Sequence, residues 1–384
     1  MPDTTTSRRT VLAASAGLAL AQASPAHAAP RRREPARFAY VGCYTTAQRN
    51  GHGTGITAFR VNGPGRWERL SVTETPPNPS FLTLDRTQSY LYAVHGDHDR
   101  VSAYAIDRRT GLLTALGSVP SEGTNPVHLT LAPDNRYLLV ANYATGTLST
   151  LPRAPDGRLR PATQVVQLTG TPGPDRSQQT GPHPHHIPFA PDGHHVHVPD
   201  KGTDRIHQFA YDAATGILTP APAVVVRSGS GPRHIAHHPR RPVAYVVDEL
   251  NSQVTTYDCD PADGTLTPRS WLPTLPSSFT GDSTAAEIQL SHDARFLFLS
   301  NRGHDSLAVY PVSEDGTLRA PRWTPAGGRQ PRFFTLDPTG ATLYAANQAS
   351  DTIAAFETTK DGRLHRTGTT INTGSPVCIA FRTR

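Results

Sequence analysis

The chain has 384 residues and a formal net charge of +6, a size at which two domains are the ordinary expectation. The positive charge is almost entirely arginine, with Lys201 and Lys360 the only lysines, and it is scattered, which argues against tracking a nucleic-acid backbone, where local density is needed. Three cysteines, Cys43, Cys259 and Cys378, exclude a disulfide scaffold and leave no Cys-x-x-Cys pair for metal or redox chemistry.

The chain opens on a targeting pattern. Ser7-Arg-Arg-Thr-Val-Leu is followed by a weakly apolar run from Val11 to Ala23, and Ala26-His-Ala28 offers small residues for cleavage. That run is too short and too rich in alanine to span a bilayer. Residues 1–29 therefore read as a twin-arginine export signal, with an extracellular or cell-envelope destination and no membrane contact beyond the signal. The folded part is expected to run from about Arg37 to Arg384.

Seven copies of one pattern follow. One copy reads Asn78-Pro-Ser-Phe-Leu-Thr-Leu-Asp, then Tyr90-Leu-Tyr-Ala-Val-His, then Val101-Ser-Ala-Tyr-Ala-Ile-Asp, then Gly111-Leu-Leu. The opening prolines are Pro79, Pro126, Pro184, Pro232, Pro331 and Pro376; Ala286 takes the place of a proline in the widest gap. With that copy counted, the spacing is roughly 45–60 residues, which suits four-stranded propeller blades. Each copy holds four short β-branched and aromatic runs separated by Asp-Gly or Thr-Gly turns, the signature of strands joined by hairpins. The last copy, from Ser375, stops after one strand, and Phe38–Val72 supplies the other three. The expectation is an all-β, seven-bladed β-propeller, closed by a blade shared between the N- and C-termini, with no free sheet edge. A stacked ring of this kind is one domain.

Departures between copies locate a candidate site. The residue after each opening position is Ser80, Val127, His185, Arg233, Glu287, Arg332 or Val377, at the start of the strand lining the central channel. The antiparallel second strand ends near Tyr44, Gly96, Tyr143, Lys201, Glu249, Arg302 and Gln348. Simple hairpin register sets Arg233 opposite Glu249, Glu287 opposite Arg302 and His185 opposite Lys201, within a residue or two of slip. One mouth thus gathers charge opposite apolar and small residues, which suits an anionic small molecule; the plainer reading is a wet pore lined by ion pairs. The long connections Thr163–Gly181 and Pro273–Thr284 are placed to wall this mouth.

His183 and His185 alternate along the expected strand, but no third ligand at zinc spacing accompanies them, so no metal is expected. His194, His195 and His197 read as hairpin surface. The Asp-Gly pairs are turn chemistry, and no Gly-x-Ser-x-Gly elbow is present. The same hairpin register sets Cys43 directly opposite Cys378, close enough for a disulfide. The alternative is a pair of small buried thiols.

Gly181-Pro-His-Pro-His, Gly231-Pro-Arg-His-Ile-Ala-His-His-Pro, Asp248-Glu-Leu-Asn-Ser, Ser300-Asn-Arg-Gly-His-Asp-Ser and Ala346-Asn-Gln-Ala-Ser together resemble the seven-bladed propeller lactonases. That family includes the propeller type of 6-phosphogluconolactonase and is related to the fungal carboxymuconate lactonizing enzyme. The resemblance covers Arg37 to Arg384 and implies His185, Arg233, Glu249 and Arg302 as the catalytic set. All four are channel-mouth residues on the register argument alone. His183, Tyr143, Lys201, Glu287, Arg332 and Gln348 are the expected substrate-binding residues. The expected activity is cofactor-free hydrolysis of a sugar-acid or other anionic lactone by a monomer, with Glu249 or His185 as general base. Non-catalytic ligand binding and lactone-forming cycloisomerisation are the alternatives. An export signal is unexpected on an enzyme of central sugar-phosphate metabolism, and it speaks against a phosphorylated substrate.

Overall fold

The computed structural model describes Pro2 and residues 34–383; the export-signal expectation therefore lies outside the described residues. Seven sheets form the blades of the propeller, six of four strands and one of three. In chain order, blade 1 starts at Pro79–Leu84, blade 2 at Pro126–Leu131, blade 4 at Pro232–His237, blade 5 at Thr284–Leu290 and blade 6 at Pro331–Leu336. Blade 7 is the shared one: Pro376–Arg382 is its inner strand, followed by Phe38–Cys43, Ile56–Val61 and Trp67–Thr73. Among the described residues no helix is long and apolar enough to cross a membrane.

Blade 3 departs from the expected pattern. Its three strands are His195–Asp200, Arg205–Asp212 and Ile217–Val225, and its innermost segment makes only the isolated bridges Pro184↔Asp200 and Phe189↔Val196. Pro184 and Pro188 have no N–H to give, and Pro199 on the facing strand has none to return, so a continuous ladder cannot form. His183 and His185 therefore do not lie on a regular strand.

Four blade junctions are locked by one repeated contact. The third residue of the second strand reaches the turn of the next blade: Tyr40 Oη donates to the Gly111 carbonyl at 2.9 Å, Tyr92 to Gly157 at 3.0 Å and Tyr245 to Gly316 at 2.7 Å. Blade 3 uses His197 for the same purpose, its Nε2 meeting the Gly264 carbonyl at 2.9 Å. His197 is thus a buried inter-blade link rather than hairpin surface, while His194 is exposed and His195 partly so. The turns need glycine for two reasons. Gly157 has a φ of +85°, and a Cβ there would lie 2.2 Å from the Tyr90 ring.

A second repeated feature sets the channel wall. Five inner strands carry a register shift just after the opening position, between Pro79 and Phe81, Pro126 and His128, Pro232 and His234, Ala285 and Ile288, and Pro331 and Phe333. The closing pair shifts in the same place, with Gly42 opposite Cys378 but Cys43 opposite Pro376. Each shift is a β-bulge, which leaves an extra residue unpaired and turns its side chain. The simple hairpin register is therefore offset: the Glu249 N–H donates to the Gly231 carbonyl, two residues from Arg233 and within the expected slip, whereas Arg302 pairs with Thr284, three residues from Glu287 and beyond it.

The bulge also separates Cys43 from Cys378, so the disulfide arrangement does not form. The Cys43 thiol donates to the Gly55 carbonyl at 3.0 Å, while the Cys378 sulfur accepts the Leu82 N–H at 3.3 Å. All three cysteines are free. We expect three titratable thiols in the denatured, unreduced protein and the same intact mass with and without reductant; a loss of two thiols would contradict this register.

Below the bulge an aromatic belt runs from blade to blade. Ring centroids run from Phe333 to Phe81 (6.0 Å), Phe81 to His128 (4.3 Å), His128 to His186 (4.2 Å) and His186 to His234 (4.3 Å). The histidines serve as acceptors here. His128 Nδ1 takes the Ile187 N–H at 3.3 Å, and His186 Nδ1 takes the Ile235 N–H at 3.2 Å. An imidazolium has no such lone pair, and burial holds His128, His185, His186, His234 and His237 well below the usual histidine range. His95 and His197 are likewise lowered by burial, to about 4.

These seven histidines are neutral when folded but titrate near ~6.5 when unfolded, so the unfolded chain binds more protons below that pH. Two buried carboxyls oppose them, Asp248 raised to about 7 and Glu287 to about 8, both by burial. Seven outweigh two. The histidine contribution is accordingly complete above about pH 6.5, and below it stability falls more steeply than the ~1.4 kcal/mol per pH unit of a single proton. The two carboxyls lower stability as pH rises through about 7 to 8, so the maximum lies at about pH 6.5. Urea unfolding midpoints between pH 7.5 and 5 measure this; a flat profile would contradict it.

Candidate active site

The channel mouth holds a cavity of about 230 Å³. It is lined by His185, Arg233, Glu249 and Arg302, together with Tyr143, Lys201, Glu287 and Arg332. The structure therefore brings eight of the ten anticipated residues into one chamber. His183 and Gln348 are not among them. His183 stacks on Tyr143 at 4.5 Å between ring centroids, with Nδ1 on the Tyr143 carbonyl, and so supports a wall of the chamber. Gln348 begins a short helical turn, Gln348–Ser350, and its N–H is used on Gln330.

Other lining residues had no clear signal in the repeats. Arg49 lies in a loop unique to blade 7, and its guanidinium is held by both oxygens of Asp97. Gln178 comes from the 163–181 connection and accepts from Lys201 Nζ at 2.8 Å. That connection is anchored beside it, because buried Gln179 donates to the Lys201 carbonyl and to Asp204. The 273–284 connection contributes no lining residue. His234 adjoins Arg233 in the Gly-Pro-Arg-His phrase, and its position in the belt was the missing clue.

Local structure explains the placement of the charged groups. The bulge puts Arg233 and Arg332 outside the ladder, aimed inward instead of paired across it. Lys201 is fixed by the residue before it: buried Asp200 accepts from the N–H groups of His183 and Gly202 and from Thr203 Oγ1, and contacts His207.

Glu249 is the electrostatic centre. Its Oε1 lies 3.1 Å from Lys201 Nζ and 3.1 Å from Arg302 Nη2, and its Oε2 lies 3.1 Å from Arg233 Nε. Burial alone raises a carboxyl's pKa, but Arg302, Lys201, Arg233 and Arg332 together outweigh it and hold Glu249 far below the usual range. Glu287 has the opposite balance. Burial dominates and raises it to about 8, against the opposing pull of Arg233, the Ile288 N–H and Arg332. Two carboxyls in one cavity are thus driven apart, one a fixed anion and the other close to titration at neutral pH.

Arg332 differs from its neighbours. Its guanidinium lies over the Tyr44 ring at 5.6 Å, and no carboxylate among the described residues pairs with it. His185 faces the same space. Its Nδ1 meets His234 Nε2 at 3.2 Å, and no group among the described residues takes its Nε2. Burial, followed by Arg233, His234, Arg332 and Lys201, keeps this imidazole neutral. The chamber therefore combines excess positive charge with an uncharged imidazole, an arrangement able to hold an anion, stabilise a developing oxyanion and accept a proton.

Comparison with known proteins agrees with this architecture. The family model described as "Lactonase, 7-bladed beta-propeller" matches residues 38–381. A 6-phosphogluconolactonase of Bacillus subtilis is 32% identical over 351 residues, covering 89% of this chain and 97% of that protein. A 6-phosphogluconolactonase of Formosa agariphila is 31% identical, with 83% and 91% covered. Among solved structures, the periplasmic gluconolactonase PpgL of Pseudomonas aeruginosa superposes with a TM-score of 0.83 at 31% identity, covering 90% of this chain and 99% of that one. The chain belongs to the seven-bladed β-propeller lactonase family.

Proposed function

We propose that this lactonase hydrolyses the ring ester of a small sugar-acid lactone in the chamber at the channel mouth, with His185 as general base. The observation that carries the reading is the charge surplus: Lys201, Arg233, Arg302 and Arg332 face the single ionised carboxylate of Glu249, beside a neutral imidazole. Water attacks the lactone carbonyl and gives up a proton to His185. The guanidinium groups stabilise the oxyanion, and the ring oxygen departs with a proton returned to it. Glu249 is a poor base when three cations hold it, and its part is to fix those cations against each other. A chamber of about 230 Å³ lies below the ~300–1,000 Å³ of sites for drug-sized ligands and suits a single ring.

Relatives named for phosphorylated and for unphosphorylated gluconolactone share similar identity with this chain, so the charged appendage is a matter for Arg332. Being free of an acidic partner, it is the group available to an extra carboxylate or phosphate on the lactone. Acid release from a panel of aldonolactones, with and without a phosphate, tests both points. We expect turnover by the native chain, and about a tenfold or greater rise in KM for charged lactones in Arg332→Ala, with neutral ones within about twofold. No turnover anywhere on the panel removes the lactonase reading, and equal effects on both classes remove the role of Arg332.

The twin arginines of the leader support export, and PpgL is described as periplasmic. Export of the full chain from a host with a twin-arginine pathway should cease when Arg8 and Arg9 are both replaced by lysine. Continued export of the double variant would refute this route.

A further inference from the structure

His185 poses a difficulty for any base mechanism. It is 5% exposed and faces Tyr143 of blade 2, Lys201 of its own blade, Arg233 and His234 of blade 4 and Arg332 of blade 6. Four of these groups disfavour a positive imidazole, so storing a water proton there as imidazolium is costly. The structure offers another destination. His185 Nδ1 meets His234 Nε2 at 3.2 Å, and His234 Nδ1 lies 3.3 and 3.4 Å from the two oxygens of Glu287. Three buried groups thus form one hydrogen-bonded chain along the cavity wall.

We propose that His185, His234 and Glu287 act as a proton relay, which lets His185 accept a proton from water while both imidazoles stay neutral. This rests on the lactonase reading above. Hydrogen-bond complementarity sets two states. With Glu287 ionised, it accepts from His234 Nδ1–H; bare His234 Nε2 accepts from His185 Nδ1–H, and His185 Nε2 offers its lone pair to the cavity. With Glu287 protonated, every hydrogen bond reverses, and His185 Nε2–H becomes a donor.

The step between these states balances. A water O–H bond breaks as H–Nε2 forms on His185, and the water oxygen bonds to the lactone carbonyl carbon. The Nδ1 proton of His185 passes to His234 Nε2, and the Nδ1 proton of His234 passes to the Glu287 carboxylate. Negative charge has moved from Glu287 to the carbonyl oxygen, among the arginines. Reversal protonates the ring oxygen as its bond to carbon breaks. Burial raises the affinity of Glu287 for a proton against the pull of Arg233 and Arg332, which suits a site that must both take and return one. Cys378 of blade 7 also senses its charge.

Glu287→Gln and His234→Phe test the relay. Phe81 and Phe333 occupy the position of His234 in blades 1 and 6, so phenylalanine suits the site. Each variant should lose kcat on the order of 10²-fold, with KM within about threefold, and the double variant should lose no more than either single one. Losses that multiply overturn the proposal, as does near-native kcat in either single variant.

Ring nitrogen NMR shifts of ¹⁵N-histidine protein, with His185 assigned by its own substitution, give a readout independent of turnover. Between pH 6 and 10 the proton of His185 should move from Nε2 to Nδ1 in the native chain and stay on one nitrogen in Glu287→Gln. A single tautomer throughout in the native chain overturns the relay. A tautomer change without lactone turnover would leave the relay standing and remove the lactonase reading.

Discussion

The bulge near the opening position, present in every blade but blade 3, is the constraint on which the channel mouth depends. An antiparallel hairpin without it would send side chains alternately to the two faces of the blade, and the residues now at the mouth would pack between blades. One extra residue per inner strand frees Arg233 and Arg332 from the ladder and turns Glu287 inward. It also changes the demands on the next side chain, which meets the neighbouring blade at a backbone N–H. Histidine at 128 and 186 and cysteine at 378 answer that demand by accepting from Ile187, Ile235 and Leu82. Structure and chemistry share one backbone irregularity.

Charge in the chamber is organised around Glu249. Four cations converging without it would repel one another in a space shielded from water, where such terms are large. With it, three are tied to a common anion and Arg332 is left over. Breaking a buried ion cluster by removing one member generally costs several kcal/mol because the remaining charge stays buried. Glu249 therefore fixes the positions of its neighbours, while Glu287, of the same chemical type, is the carboxyl that burial brings close to titration.

Blade number, ring closure and most of the chamber were legible in the sequence, because each depends on period and on which residue follows a repeated proline. His185, Arg233, Glu249, Arg302, Lys201, Tyr143, Glu287 and Arg332 all occupy the expected mouth. Arg233 and Glu249 do meet, but the exact register was not legible, since a bulge shifts it without leaving a mark in composition. The Cys43–Cys378 alignment failed for that reason. His183 looked like a partner of His185 because alternation was assumed where Pro184 and Pro188 prevent a strand. Gln348 was drawn in by its position in the repeat, yet a helical turn begins there. His197 was not legible because its counterparts in blades 1, 4 and 7 are tyrosines, and only the shared target, a turn carbonyl, reveals the equivalence.

Blade 7 couples segments far apart in sequence, with Tyr40 paired to Ala380 across 340 positions. Until that last strand docks, blade 7 shows an open edge at Phe38–Cys43, and the cavity lacks Val377 from its wall. Contacts so distant in sequence form slowly, because a long loop must close before they contribute. The chamber is thus completed by a strand that follows all the other lining residues in sequence, and a chain interrupted before Pro376 carries every charged group of the site inside a ring that has not shut.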